Sequence, residues 1–154
     1  MEMTGEQLVP LPQDATWRAL NDIAILKASI PGCESMEQTG ENEYQLTMMA
    51  KVGPVSARFK GRMTLAEINA PHSYKLVFEG QGGVAGFAKG EAEVALAPEN
   101  EATRLRYAVK AMVGGKLAQV GSRLIDGVAR KTAEQFFSAF NRQVSANAAP
   151  SGGG

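Results

Sequence analysis

Residues able to do acid–base, nucleophilic or metal chemistry are few in this chain and do not converge. His72 is the one histidine, and it follows Pro71 in a turn over 69–73, a solvated loop position. Cys33 is the one cysteine, in the turn Pro31-Gly32-Cys33. A cysteine nucleophile needs a base beside it, and none is evident, so Cys33 is expected to pack as a small hydrophobe. One His and one Cys cannot build a zinc site of the usual His and Cys ligands. Glu91 and Glu93 alternate with Lys89 on one strand face, the pattern of a solvated surface rather than a catalytic carboxylate pair. The glycine-rich stretch 80–90 lacks the Lys-Ser/Thr ending of a phosphate loop and precedes a strand, not a helix. It is either a bent connection or a flexible rim. No catalytic residue, metal site or cofactor is assigned.

Bulk properties narrow the classes further. The chain has 154 residues, 16 basic and 16 acidic, for a formal net charge of zero. That length favours one domain, and the charge balance gives no footprint for nucleic acid. A single cysteine excludes an internal disulfide and points to a reducing cytoplasm. The N-terminus is neither basic nor followed by an apolar run, so no signal peptide is expected, and no apolar run is long enough to span a bilayer. The stretch 147–154 (NAAPSGGG) is expected to be a flexible tail after a domain over 1–146.

Periodicity supplies the elements. A strand is expected over 2–10, then two short helices, the first opened by Pro12 and Asp14 and the second ended by Pro31. From residue 34 the period shortens to two. Strands are expected over 35–39, 43–52, 55–68, 74–80, 87–97 and 103–113, joined by short turns. Over 55–65 the alternation is clean: Val55, Ala57, Phe59, Gly61, Met63 and Leu65 on one face, Ser56, Arg58, Lys60, Arg62 and Thr64 on the other. A helix is expected over 114–146, with Leu117, Val120, Gly121, Leu124, Val128, Thr132, Phe136 and Phe140 on one stripe. An antiparallel meander with one apolar face, covered by a long amphipathic helix, makes a two-layer α+β domain.

The apolar face is uneven. Phe59, Met63, Leu76 and Phe78 are bulky; Ala57, Gly61, Gly80, Ala88, Gly90 and Ala92 are small. Gly121 and Gly127 would each cost about 1 kcal/mol against alanine inside a helix. Either these small residues let a curved sheet and helix approach closely, or they leave a cavity. A dry void of roughly 300 Å³ at about 24 cal/mol per Å³ would cost about 7 kcal/mol, against a total stability of about 5–15 kcal/mol. A large apolar pocket here would therefore be wet or occupied. The inward Tyr44, Tyr74 and Tyr107 are either core residues or the polar groups that orient a ligand. Outward, Arg58, Lys60, Arg62, Arg104, Arg106 and Lys110 form either a solvated face or a basic docking stripe.

The Pro31-Gly32-Cys33 turn, Gly61, the bend over 80–90, Thr103, Tyr107 and GGKLAQVGSRLIDGVARKTAEQFFSAF together resemble the G-subunit family of aerobic carbon monoxide dehydrogenase. That family belongs to the START-like (SRPBCC) helix-grip superfamily. The resemblance implies a seven-stranded curved antiparallel sheet wrapped around the C-terminal helix, two short helices between strands 1 and 2, and an apolar cavity between sheet and helix. It implies a non-enzymatic accessory protein that binds a hydrophobic small molecule, a quinone or lipid, and assists membrane recruitment or maturation of a molybdenum-containing oxidoreductase. Peripheral association with the inner face of the cell membrane would then use a segment beyond the SGGG stretch. The inferred lining is Leu46, Met48, Phe59, Met63, Leu76, Phe78, Tyr107, Leu117, Gly121 and Leu124. Phe59→Ala is expected to change quinone affinity with the fold intact, and Gly121→Leu to close the pocket. The alternatives are a START-like cyclase or hydrolase, which the lack of inward His, Asp or Glu disfavours, and an interaction module docking through the basic sheet face.

Overall fold

In the computed structural model the backbone is described for residues 1–153 and side chains for 1–146; the expected tail, 147–154, lies outside the fully described residues. The elements are β1 (Glu2–Val9), α1 (Gln13–Leu20), α2 (Ile23–Ser29), β2 (Cys33–Gly40), β3 (Glu43–Val52), β4 (Val55–Asn69), β5 (Ser73–Gln81), β6 (Phe87–Glu99), β7 (Ala102–Gly114) and α3 (Ser122–Gly153). Two short 3-10 turns, Gly83–Ala85 and Gly115–Val120, link β5 to β6 and β7 to α3. The seven strands form one antiparallel sheet in the order β1-β7-β6-β5-β4-β3-β2.

Local chemistry sets the boundaries. Pro12 caps α1 from an extended conformation, and the Asp22 carboxylate caps α2 by accepting from the Ala24 and Ile25 amides at 2.9 and 3.2 Å. Pro31 follows α2 and Gly32 takes a left-handed φ of 73°. A Cβ at Gly32 would strike the Met49 carbonyl, so only glycine fits where this turn lies against β3. Thr16 and Thr103, both fully buried, lock α1 onto β7: Thr103 Oγ1 donates to the Leu11 carbonyl at 2.7 Å and lies 3.1 Å from Thr16 Oγ1.

The topology divides the molecule into two ends. The β3–β4 turn, the β5–β6 connection and the β7–α3 connection share one end, called the tip below; α1, α2 and the later turns of α3 occupy the other. Each end has its own core. At the far end Val9, Leu20, Ile25, Tyr74, Leu96, Leu105, Phe137, Phe140 and Val144 pack together. At the tip Phe59, Ala85 and Leu117 pack with Met48, Val52, Val55 and Val113 around them.

The helix expected over 114–146 starts later. β7 continues to Gly114, the chain makes a 3-10 turn, and Gly121 breaks it with φ 97° before α3 begins at Ser122. A 3-10 turn has three residues per turn, and a left-handed residue redirects the chain, so the phase carried by Leu117 and Val120 does not continue into α3. The sheet-facing stripe is Ile125, Val128, Ala129, Thr132, Ala133, Phe136, Phe137, Phe140 and Val144, and Leu124 lies off it, 38% exposed.

Candidate functional site

Cross-strand register shows what lies between the two cores. One rung across the inner sheet face reads Leu46, Gly61, Gly80, Ala88, Val113. The next reads Tyr44, Met63, Phe78, Gly90, Ala111. Three glycines and two alanines in ten positions leave the middle of the sheet without bulk. Met63 and Phe78 stay half-buried and stand outside both cores, although their side chains point under the helix. Above them the first turns of α3 present only half-buried Ile125, Val128, Ala129 and Thr132, while Phe140 further along is fully buried.

Gly80 locates the space. Tyr74, Leu76 and Phe78 fix its side as the inner one, and a Cβ built on it meets no atom within 4 Å. Its neighbours behave differently. A Cβ on Gly61 would touch Leu46 at 3.3 Å, and one on Gly90 would strike the Lys110 carbonyl and Ala111. Gly61 and Gly90 therefore serve close packing, whereas Gly80 faces a recess. Both explanations of the small inward residues hold, at different positions.

The ten residues inferred from sequence divide accordingly. Leu46, Met63 and Phe78 belong to the recess floor. Met48, Phe59 and Leu117 belong to the tip core, with the Phe59 ring lying over Gly82. Leu76 and Tyr107 pack against the far core, where Tyr107 stacks on Phe137 at 5.5 Å. Leu124 rests on Gly53 in the β3–β4 turn, and Gly121 sits exposed at the break before α3. The expected clearance at Gly121 is thus a chain reversal rather than a helix face. Ile125, absent from the inferred lining, is half-buried on the sheet-facing stripe because the helix phase starts at Ser122.

Electrostatics around the recess are quiet. Burial pushes the Tyr74 hydroxyl well above its ordinary range, with the nearby Tyr44 adding to the effect. Burial also raises Tyr107, with Glu134 adding to the rise and Arg130 opposing it. Burial raises the Cys33 thiol, whose Sγ lies 3.4 Å from the Ser35 carbonyl, so the thiolate that a nucleophile needs is disfavoured. His72 is exposed in its turn, 3.3 Å from the Gln13 amide nitrogen. Among the described residues, no group of three His, Cys, Asp or Glu side chains gathers to hold a metal. The outward cations are mostly matched: Arg58 with Glu34 at 2.6 Å, Arg104 with Glu99 at 2.7 Å, Arg106 with Glu6 at 3.2 Å and Lys110 with Glu2 at 4.0 Å. Shallow grooves cross this outer face, one lined by Thr4, Lys75, Glu93 and Arg106, another by Gln45, Lys60 and Gln81.

Comparison with known proteins agrees with this architecture. A conserved protein from Geobacillus kaustophilus is 31% identical, covering 95% of this chain and 96% of its own, with a TM-score of 0.89. A START superfamily protein from Mycobacterium smegmatis is 13% identical over 94% of this chain and 97% of its own, with a TM-score of 0.72. The Zhui aromatase/cyclase from Streptomyces sp. R1128 is 13% identical over 93% and 92%, with a TM-score of 0.66. The last two likenesses establish the START-like fold alone. No curated protein matches the sequence. The profile of the carbon monoxide dehydrogenase G-subunit family (CoxG) matches residues 5–145. The chain therefore belongs to the CoxG family, the G subunits of carbon monoxide dehydrogenase.

Proposed function

We propose that the protein is a non-enzymatic accessory carrier that holds a hydrophobic small molecule, a quinone or lipid, between its sheet and α3. It serves a carbon monoxide dehydrogenase-like, molybdenum-containing oxidoreductase at a membrane. The observation that carries this reading is Gly80, an inner-face glycine over open space, set among apolar side chains that neither core covers. In this reading the floor is Leu46, Met63, Phe78 and Gly80, and Ile125 and Val128 form the roof. This lining offers dispersion contacts and no ionisable group, which suits a neutral apolar ring or chain and leaves no acid–base pair for a cyclase or hydrolase. Family membership supports the accessory role. Docking through the basic sheet face has less support, because four of its six cations already have carboxylate partners. The test is uptake of decylubiquinone by delipidated protein, followed by native mass spectrometry. One-to-one binding that an added phospholipid competes away fits the reading; no uptake of either contradicts it.

A further inference from the structure

The tip of the molecule has a composition unlike the rest. Its three connections come from segments without a single Asp or Glu: none occurs in residues 44–66, 80–90 or 102–125. Six of the ten lysines and arginines in those segments belong to the outer sheet face, and Lys51, Lys116 and Arg123 stand at the tip. Lys51 beside the β3–β4 turn, Lys116 in the second 3-10 turn and Arg123 at the start of α3 are exposed and make no ion pair among the described residues. α3 also begins here with no acidic residue in its first turn, so its positive dipole end is not offset locally. Apolar side chains project among these charges. Val84 is 86% exposed at the crest of the β5–β6 connection, and Leu124 is 38% exposed on the rim.

The three connections form one continuous surface. Gly86 lies against Gly114 and Gly115, joining the β5–β6 and β7–α3 connections, and Leu124 on Gly53 joins α3 to the β3–β4 turn. No helix of the described residues is long and apolar enough to cross a membrane. Unpaired cations around protruding aliphatic side chains, with exposed Asp126 one turn into α3 from Arg123 as the neighbouring carboxylate in sequence, match an anionic lipid headgroup layer with acyl chains beneath it.

We propose that this tip is a docking face for an anionic phospholipid bilayer. Val84 and Leu124 enter the headgroup region, and Lys51, Lys116 and Arg123 meet lipid phosphates. The proposal rests on the carrier reading for its purpose: the tip closes the end of the recess from which an apolar molecule would pass to or from lipid. Val84 and the three cations lie outside the recess lining, so their substitution separates docking from cargo binding.

The experiment is co-sedimentation of the full chain with phosphatidylcholine vesicles and with mixed phosphatidylcholine–phosphatidylglycerol vesicles, alongside decylubiquinone uptake without vesicles. Wild type should bind the mixed vesicles and not the neutral ones, and lose binding as salt rises to about 0.5 M. Lys116→Gln/Arg123→Gln should weaken binding about 25-fold, from roughly fivefold per surface charge removed. Val84→Asp should weaken it about tenfold or more by removing an inserted aliphatic group and adding a like charge to the lipid. Lys60→Gln/Arg62→Gln, on the outer sheet face, should leave it unchanged. Equal binding to neutral and anionic vesicles, no binding to either, or tip variants that bind like wild type would overturn the proposal. Loss of decylubiquinone uptake throughout, with vesicle binding as described, strikes the carrier reading and supports the docking face on its own.

Discussion

Gly80→Leu tests the recess at the position where the structure is most specific. The φ of Gly80 is outside the left-handed range, so a side chain meets no backbone strain, and its Cβ would enter open space. Burying a leucine fully is worth about 1.5–3 kcal/mol, and removing a strand-interior glycine adds about 0.5–1 kcal/mol. Gly80 is only half-buried, so a net gain of about 1 kcal/mol is expected, a rise in Tm of roughly 2–4 °C for a domain of this size. The same side chain occupies volume a ligand needs. Displacing about four carbon groups at about 0.8 kcal/mol each removes about 3 kcal/mol of binding, or roughly 100-fold in Kd. The assay pairs thermal melting with decylubiquinone titration of the purified variant. A destabilisation of about 1–3 kcal/mol, the usual cost of overpacking a filled site, would show that the space is not there. Unchanged affinity with an intact fold would show that the space is not the binding site.

Other consequences are independent of the ligand. Gly90→Ala should cost about 1–3 kcal/mol in urea denaturation, because its Cβ would press on the Lys110 carbonyl and Ala111; the contrast with Gly80→Leu separates packing glycines from the recess glycine. Thr103→Val should cost about 1–3 kcal/mol in the same assay, since it removes the buried hydroxyl bonded to the Leu11 carbonyl and facing Thr16. Tyr74 has a folded-state pKa raised above its ordinary value near 10. The folded protein thus favours the neutral phenol, and stability present below pH about 10 is lost as pH rises above it, where the unfolded chain ionises first; Tyr74→Phe should flatten that alkaline loss in a pH series of melts. Phe59→Ala should cost about 3–5 kcal/mol, because the ring is buried in the tip core rather than lining free space.

The order of elements was legible from periodicity because nearly every strand has one solvated face. Over 55–65 the alternation of Arg58, Lys60 and Arg62 with Phe59, Gly61 and Met63 leaves only one register that buries the apolar set. The start of α3 was not legible. Leu117, Val120, Leu124 and Val128 share helical spacing by composition alone, and nothing local distinguishes a helix interior from a 3-10 turn followed by a left-handed Gly121. That one misplacement put Gly121 and Leu124, rather than Ile125, on the expected sheet-facing stripe. The mixture within the remaining lining has another cause. Alternation identifies which residues point inward, but not which of them are already covered by the α1–α2 layer or by the β5–β6 connection. Leu76 and Tyr107 pack toward the far core and Phe59 fills the tip, and only the three-dimensional placement of Ala85, Leu117, Phe137 and Phe140 shows this. Gly61, Gly80 and Gly90 are likewise equivalent in sequence; what each would touch across the sheet sets Gly80 apart.

The carrier proposal requires an apolar molecule in the space between Gly80 and the first turns of α3. Its most direct measurement is native mass spectrometry of the freshly purified protein, with organic extraction and identification of whatever it releases. A bound hydrophobic species is expected at up to one per chain, displaced by decylubiquinone and absent from Gly80→Leu. A protein that carries nothing, takes up no decylubiquinone after delipidation and behaves the same as Gly80→Leu would contradict it.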